Sequence, residues 1–233
     1  MSGSKVYLRV ERTDAATCRA AAGTTVSDLH EAMGRPRCFR QTMDPAMRPL
    51  IEGLRIAGPA VTASCAPGDN LMMHRALFLA ERGDVLVVQG PEAGAQWGDI
   101  AAYYAIRKGL AGIVIDGFVR DVDALRRMRS PVWMTRIGPS SPQKAGHGSV
   151  NAPVTCAGVR VEPGDLVVAD GDGVIVVPRS EAPAIVAKAR ERTSRETQER
   201  ARIDGGEHPW RLHGAAAAYE RMDVEEIDAS WRP

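Results

Sequence analysis

The sequence predicts an α/β fold in which helices cover a mixed sheet. Apolar, β-branched segments alternate with helical segments over residues 54–136, whereas residues 152–178 contain strands without intervening helices. A simple doubly wound sheet would need the helices to continue to the end of that region. We therefore expect an α/β sandwich with a mixed sheet, followed by a C-terminal helix and tail.

The composition is that of a globular protein that can bury a full core. Of the 233 residues, 44% are hydrophobic and 25% are charged, and the formal net charge is +1. A charge this small gives no reason to expect nucleic acid or an anionic membrane as a partner. The N-terminus lacks the apolar core of a secretion signal, and no apolar run is long enough to cross a bilayer. These properties favour a cytoplasmic enzyme or binding protein.

In the first half of the chain, residues 14–35 are predicted to be helical, with Thr25 or Ser27 able to cap the last segment and Gly34 ending it. A connecting stretch leads to the alternating part. Its predicted elements are strand 54–65, helix 70–82, strand 84–90, loop 91–96, helix 97–110, strand 111–119, helix 121–128 and strand 131–136.

The second half begins with a loop rich in glycine, serine and proline at residues 138–149. Strands follow at 152–161, 165–170 and 173–178, and Gly171-Asp172-Gly173 is typical of a hairpin turn. A charged helix is predicted at 180–202, before a polar tail that we expect to pack on a neighbouring subunit. The predicted division is thus a catalytic domain at 1–203 and a tail at 204–233.

Asp99 is followed, after twenty residues, by Arg120 and Asp121. A predicted helix and a predicted strand separate them, so their ends can meet. Gly98, Asp99, Ile100 and Ala101 form the predicted N-terminus of this helix. The free N–H groups there suit a substrate carboxylate. Arg120 can bind a carbonyl or enolate oxygen, Asp121 can ligate Mg²⁺, and Asp99 can hold a nearby water. Together they would stabilise an enolate.

Each of these residues also has a purely structural explanation. Asp121 is a natural N-cap for the helix that follows it, and Asp99 near a helix start can act as a cap or dipole partner. Arg120 at a strand end is usually a surface charge. The joint spacing is what favours chemistry over three separate structural roles.

A second group of candidates lies on the predicted helix 70–82. Asn70 and His74 are four residues apart and share one face, so they can contact a substrate's distal carboxylate or carry a proton. The alternative is a hydrogen-bonded structural histidine. Lys144, in the loop, can bind an anion or be a solvated surface residue. Asp170 to Gly173 lack the remaining ligands of a calcium loop.

Several motifs resemble those of the RraA-like superfamily, and within it the class II pyruvate aldolases that act on 4-hydroxy-4-methyl-2-oxoglutarate and 4-carboxy-4-hydroxy-2-oxoadipate. They are the Asp99-x20-Arg120-Asp121 spacing, GDNLMMHRAL, GIVIDGFVRDVD, GSVNAPVTCAGV and PGDLVVADGDGVIVVPR, within residues 24–192. The resemblance implies a swivelling-type α/β sandwich. It also implies a homotrimer or a dimer of trimers with active sites between subunits.

The resemblance further implies a role for each matching residue. Arg120 would bind the pyruvyl oxygen, Asp121 would ligate Mg²⁺ or Mn²⁺, and Asp99 would order a water beside the metal. The backbone from Gly98 to Ala101 would take the pyruvate carboxylate. Glu207, from a neighbouring subunit, and Glu31 would complete the metal's outer shell.

The function implied is metal-dependent cleavage of a 4-hydroxy-2-oxo di- or tricarboxylic acid to pyruvate and a second oxo acid, with oxaloacetate decarboxylation as a side activity. The partners expected are this small-molecule substrate and other copies of the chain. The loops at 138–149 and 204–220 depart from the family pattern. Two alternatives therefore stay open: the same enolate chemistry on another substrate, or a non-enzymatic regulator like the ribonuclease regulator of the superfamily.

Overall fold

The computed structural model describes residues 4–90 and 93–232. The chain forms two compact units, the first ending at Arg190 and the second beginning at Glu191. This boundary falls inside a long helix, whereas the sequence places the predicted boundary at residues 203 and 204. No helix in the described part of the chain is both long and apolar enough to span a membrane.

Ten of the described strands form one mixed sheet, and two form a separate antiparallel pair. The strands are β1 (Lys5–Val6), β2 (Arg48–Pro49), β3 (Ile56–Cys65), β4 (Val85–Gln89), β5 (Ala95–Trp97), β6 (Gly112–Val119), β7 (Val132–Ile137), β8 (Gly148–Val150), β9 (Val154–Cys156), β10 (Val159–Val161), β11 (Leu166–Asp170) and β12 (Gly173–Val177).

The main strand order is β1-β8-β3-β4-β6-β7-β2, with β5 alongside the end of β6 and the β11–β12 hairpin alongside β3. The pairs β3–β4, β4–β6, β5–β6 and β6–β7 are parallel. The pairs β3–β8, β3–β11, β11–β12 and β2–β7 are antiparallel. The predicted α/β fold with a mixed sheet is therefore confirmed.

The helices belong partly to the first unit and partly to the second. They are α1 (Ala15–Ala21), α2 (Val26–Met33), α3 (Arg37–Gln41), α4 (Leu71–Leu79), α5 (Asp99–Lys108), α6 (Val122–Arg127), α7 (Ala182–Asp204), α8 (Pro209–Leu212) and α9 (Ala215–Glu220). The second unit thus contains two short helices where the sequence predicts only a polar tail. In it, the rings of Trp210 and Tyr219 pack edge to face at 5.3 Å.

The first unit has a core on both faces of the sheet. Helices α4, α5 and α6 bury Met73, Ala102 and Leu125 against one face. The opposite face packs against β9 and β10 around the fully buried Trp133. Because the central parallel strands are covered on both faces, they are apolar along nearly their whole length. The helices α4 and α5 begin at the edge where these strands end.

Three predicted elements differ from the structure. The predicted helix 14–35 is two helices, because residues 22–25 form a turn and Thr25 caps α2 in a capping box. Helix α4 ends at Leu79 and not at Gly83. Its last carbonyls, those of Leu77 and Phe78, accept hydrogen bonds from the Lys108 ammonium at 2.9 and 2.7 Å.

The third difference lies in the predicted loop 91–96. Residues 91 and 92 fall outside the described part, but Ala95–Trp97 form β5, which pairs with β6. A three-residue strand carries no periodicity, so pattern analysis could not find it.

Gly58, in β3, lies against the backbone of the β3–β4 crossover. A Cβ at this position would sit 2.1 Å from the Gly83 carbonyl oxygen and 3.2 Å from Val85 Cγ2. We predict that Gly58→Ala lowers the free energy of unfolding by about 1–3 kcal/mol, as overpacking does, in chemical denaturation. The matched control is Gly171→Ala, whose Cβ would meet open space. Equal stability of the two variants would contradict this close approach.

Candidate active site

The pairing of β5 with β6 brings the two halves of the predicted site together. Trp97 is in register with Val119, and the N–H of Arg120 donates to the Trp97 carbonyl at 3.0 Å. Because parallel strands end at the same edge of a sheet, Gly98 and Asp99 emerge beside Arg120 and Asp121. The twenty-residue spacing is thus the length of one helix, one loop and one returning strand.

Asp121 turns its side chain toward α5 and not toward α6. Its backbone is left-handed, with φ 56° and ψ 34°, a conformation that costs a non-glycine residue about 1 kcal/mol or more. Its Oδ2 accepts the N–H of Asp99 at 3.3 Å and lies 3.3 Å from Arg120 Nε. Asp121 occupies the N-cap position of α6, but its side chain makes no capping hydrogen bond. The capping alternative for this carboxylate is therefore wrong.

Gly98 leaves room for these two side chains. A Cβ at Gly98 would lie 2.6 Å from Asp121 Oδ2 and 3.3 Å from Arg120 Nε. Any larger residue would have to displace a carboxylate or a guanidinium. The glycine therefore serves close approach of the site's charged groups to the backbone of α5.

The first turn of α5 is occupied by the site's own carboxylates. The N–H of Asp99 donates to Asp121, and that of Ile100 donates to Asp99 Oδ1 at 2.8 Å. The helix N-terminus thus contacts two side-chain carboxylates of this chain, and the binding of a substrate carboxylate there stays a prediction. A substrate carboxylate at this position would replace an internal one.

A cleft of about 220 Å³ opens beside this helix start. It has room for about seven waters, which is the volume of a small organic acid. The predicted residues that line it are Asn70, His74, Gly98, Asp99, Ile100, Ala101 and Arg120. Pro142 and Lys144 line it as well, so the structure places Lys144 in the cleft.

His74 lies half-buried on α4, across the cleft from the start of α5. Burial and the charge of Lys144 both lower the pKa of this imidazole from its ordinary value. His74 is therefore neutral at pH 7 and can both donate and accept hydrogen bonds. This favours a polar contact to substrate over a fixed positive charge.

Gln96 is a cleft residue that sequence analysis missed. It is fully buried in β5, and its Oε1 accepts the N–H of Phe118 at 3.0 Å. Within the described part of the chain, its Nε2, Asn70 Oδ1 and Trp97 Nε1 are buried without a hydrogen-bond partner. All three residues line the cleft. The only sequence signal was a glutamine in a segment predicted as loop.

Each of the two predicted outer-shell residues has contacts within its own unit. Glu207 belongs to the second unit, where its carboxylate forms an ion pair with Arg202 at 2.6 Å. Glu31 lies on α2 and lines a separate pocket with His30 and Cys38. A contribution of Glu207 to a neighbouring subunit's site, and of Glu31 to the outer shell of the metal, stays a prediction.

The donor set at this edge fits a hard divalent cation. Asp99 and Asp121 supply two carboxylates, and Mg²⁺ commonly takes one or two and keeps several waters. In the described residues, no group of three or more His, Cys, Asp or Glu side chains is placed to hold a metal. A zinc-type site, which needs three or four protein ligands, is therefore not present among them.

Comparisons with known proteins place this arrangement in context. A family model described as "RraA-like: Aldolase/RraA" matches residues 25–176. A Halalkalibacterium halodurans protein named "Putative 4-hydroxy-4-methyl-2-oxoglutarate aldolase" is 37% identical over 161 residues, covering 68% of this chain and 77% of that protein. A Burkholderia multivorans protein of the same name is 37% identical over 158 residues, covering 66% of this chain and 94% of that one.

A solved structure is also similar. It is Streptomyces coelicolor RraAS2, described as an unusual member of the RNase ES inhibitor RraA protein family. It is 32% identical, with a TM-score of 0.73, and the match covers 82% of this chain and 99% of that one. The matches thus include proteins named for catalysis and one named for ribonuclease inhibition.

Gly98→Ala tests the packing of the site. We predict that it leaves the free energy of unfolding within about 0.5 kcal/mol of wild type, because the displaced side chains of Arg120 and Asp121 are partly exposed and can move. It should nevertheless abolish stabilisation by Mg²⁺, measured as the shift in melting temperature. Gly171→Ala is the control. A normal Mg²⁺ shift in Gly98→Ala would show that this close approach is irrelevant to the site.

Proposed function

We propose that this chain, which belongs to the RraA-like family, is a divalent-metal-dependent carbon–carbon lyase. Its substrate is a 4-hydroxy-2-oxo acid with more than one carboxylate, which it cleaves to pyruvate and a second oxo acid. The observation that carries the proposal is the contact of Asp121 with Arg120 and with the N-terminus of α5, both of which line a small cleft that Asp121 itself does not line. The names of the aldolase relatives support it.

The first step in this proposal is binding of the substrate's 2-oxo carboxylate at the start of α5. The N–H of Asp99 and that of Ile100 are the donors, once the Asp121 and Asp99 carboxylates release them. The partial positive charge of the helix N-terminus favours this exchange of one carboxylate for another. Asp121, when released, becomes free to ligate a cation.

Arg120 has the role of stabilising the negative charge that develops on the 2-oxo oxygen of the substrate. Its Nη1 donates to Ser141 Oγ at 2.7 Å, so the guanidinium is held at the cleft with other N–H groups available for the substrate's 2-oxo oxygen. Donors placed in advance at a forming enolate oxygen lower the barrier because they need not reorganise during the reaction. Mg²⁺ or Mn²⁺, held by Asp121, would supply Lewis-acid stabilisation of the same oxygen.

Asp99 has the role of proton carrier in this proposal. A water held by its carboxylate takes the proton of the 4-hydroxyl group and passes a proton to the Asp99 carboxylate as the bond between C3 and C4 breaks. The electron pair of that bond passes to C3 and the 2-oxo group, which leaves pyruvate enolate and a second oxo acid. The same water then returns the proton to C3, so that no proton is gained or lost overall. Oxaloacetate decarboxylation passes through the same enolate and is the expected side activity.

A second candidate function is regulation of another protein without catalysis. The observation that favours it is the similarity to RraAS2, whose description places it among inhibitors of a ribonuclease. A regulator has no need for the contact of Asp121 with Arg120 and the start of α5 beside a cleft. Catalysis is therefore the better-supported proposal, and turnover separates the two.

Arg120→Ala should remove most of the activity. The assay is pyruvate release from 4-hydroxy-4-methyl-2-oxoglutarate, 4-carboxy-4-hydroxy-2-oxoadipate and oxaloacetate in the presence of Mg²⁺. Loss of one enolate-stabilising donor should cost about 3 kcal/mol, or about 100- to 1,000-fold in kcat. Arg127→Ala, an exposed arginine on α6, is the matched control. Near-normal turnover in Arg120→Ala would refute its role, and no release by wild type would favour a regulator.

Metal binding can be tested without turnover. At a Mg²⁺ concentration one hundred times the Kd, binding should raise the free energy of unfolding by about 2.7 kcal/mol. Asp121→Asn should abolish this effect, whereas Asp123→Asn, which changes an exposed carboxylate on α6, should keep it. The measurement is the melting temperature with Mg²⁺ and with chelator. An unchanged Mg²⁺ effect in Asp121→Asn would place the cation elsewhere.

A further inference from the structure

The loop of residues 140–146 is joined to both sides of the cleft. On the α5 side, the Ser140 carbonyl accepts the N–H of Ala95 at 2.9 Å, and Ser141 Oγ accepts from Arg120. On the α4 side, the N–H of Gln143 donates to the Gly68 carbonyl at 2.7 Å. The Gln143 carbonyl accepts the N–H of Asn70 at 3.1 Å. The loop therefore bridges the cleft and is held at each side.

The buried carboxylate of Asp69 holds the far end of this loop. Its Oδ2 accepts the N–H groups of Ala145 and Gly146 at 2.6 and 2.8 Å, and its Oδ1 accepts that of Leu71 at 2.7 Å. Burial by itself would raise the pKa of Asp69, but the three N–H donors and the charge of Lys144 lower it overall. Asp69 is therefore ionised at neutral pH, and its hydrogen bonds to the loop are charge-assisted.

Lys144 lies between these anchoring points and lines the cleft. Its charge acts on His74 and on Asp69, which belong to helix α4 and to the residues just before it. Among the described residues, no carboxylate forms an ion pair with Lys144, although its charge acts on Asp69, whose oxygens accept backbone N–H groups. The cleft is thus lined by two cations, Arg120 and Lys144, and by the neutral imidazole of His74.

We infer that Lys144 binds the second carboxylate of the substrate and that Asp69 is its positioning residue. The inference rests on the proposed function for the location of the first carboxylate, at the start of α5. The substrate class is then a 2-oxo acid with a carboxylate at its far end, and His74 and Asn70 contribute hydrogen bonds there without charge. A monocarboxylic 2-oxo acid would leave Lys144 without a partner.

The test compares two ligands of equal chain length, 2-oxoglutarate and 2-oxopentanoate, by calorimetry in the presence of Mg²⁺. Wild type should bind the dicarboxylate more tightly by about 10-fold or more, since a charge-assisted hydrogen bond is gained. Lys144→Gln should lose this preference and keep its affinity for 2-oxopentanoate. Lys188→Gln, an exposed lysine on α7, should match wild type. Equal weakening of both ligands in Lys144→Gln, or no change, would overturn the inference.

A second variant tests the positioning role. Asp69→Asn removes the negative charge and leaves one oxygen and one NH2 group in place of the two carboxylate oxygens. The N–H groups of Ala145 and Gly146 then face either the NH2 group or an uncharged oxygen, so the loop should no longer hold Lys144 in place. The dicarboxylate preference should fall, and the pKa of His74, followed by NMR, should rise, as we also expect in Lys144→Gln. A purely structural role would lower the melting temperature and leave both quantities unchanged. If Asp69→Asn fails to fold, Lys144→Gln decides alone.

The two proposals fail in different ways. If no pyruvate is released from any substrate but Lys144→Gln still loses the dicarboxylate preference, the lyase is wrong and the inference stands. If Lys144→Gln cleaves 4-hydroxy-4-methyl-2-oxoglutarate with wild-type kcat/KM, the lyase stands and the inference is overturned.

Discussion

The parallel pairing of β5 with the end of β6 is the constraint on which the site depends. It consists of two register pairs and the hydrogen bond from the Arg120 N–H to the Trp97 carbonyl. Without it, the start of α5 and the end of β6 would have no common edge. With it, Gly98 and Arg120 follow directly from paired strands, and their distance is set by backbone geometry and not by flexible side chains. A rigid sheet thereby positions groups that must act together.

The same edge places negative charge against a helix N-terminus. Asp121 has a left-handed backbone conformation, which is unfavourable for a non-glycine residue, and its carboxylate accepts the N–H of Asp99. In the proposed mechanism, the Asp121 carboxylate stands where the carboxylate of the substrate would bind. In the proposed mechanism, this internal contact keeps the donors of α5 aligned and is exchanged for the substrate.

The loop at 140–146 connects the two ends of the cleft. Ser141 contacts the arginine on one side, and the Asp69 carboxylate holds the backbone on the other. A change in the loop therefore alters the surroundings of both Arg120 and Lys144. This loop is also one of the parts that depart from the pattern of the aldolases, which is consistent with a role in choosing the substrate.

The sequence by itself determined the α/β class with its mixed sheet, the order of the main strands and helices, the family, and the grouping of Asp99, Arg120 and Asp121. Local propensity and hydrophobic periodicity carry the class and the order of the elements, since both involve residues close in the chain. The quoted motifs, including the Asp99-x20-Arg120-Asp121 spacing, carry the family and the grouping. Only the tertiary structure decided that the Asp121 side chain accepts a hydrogen bond from α5 and does not cap α6. It also decided that β5 exists and that Gln96 and Lys144 line the cleft. These depend on contacts between residues distant in sequence, such as Asp121 with Asp99 and Asp69 with Gly146. Pattern within a short window cannot register such contacts, because their energy depends on how separate elements pack.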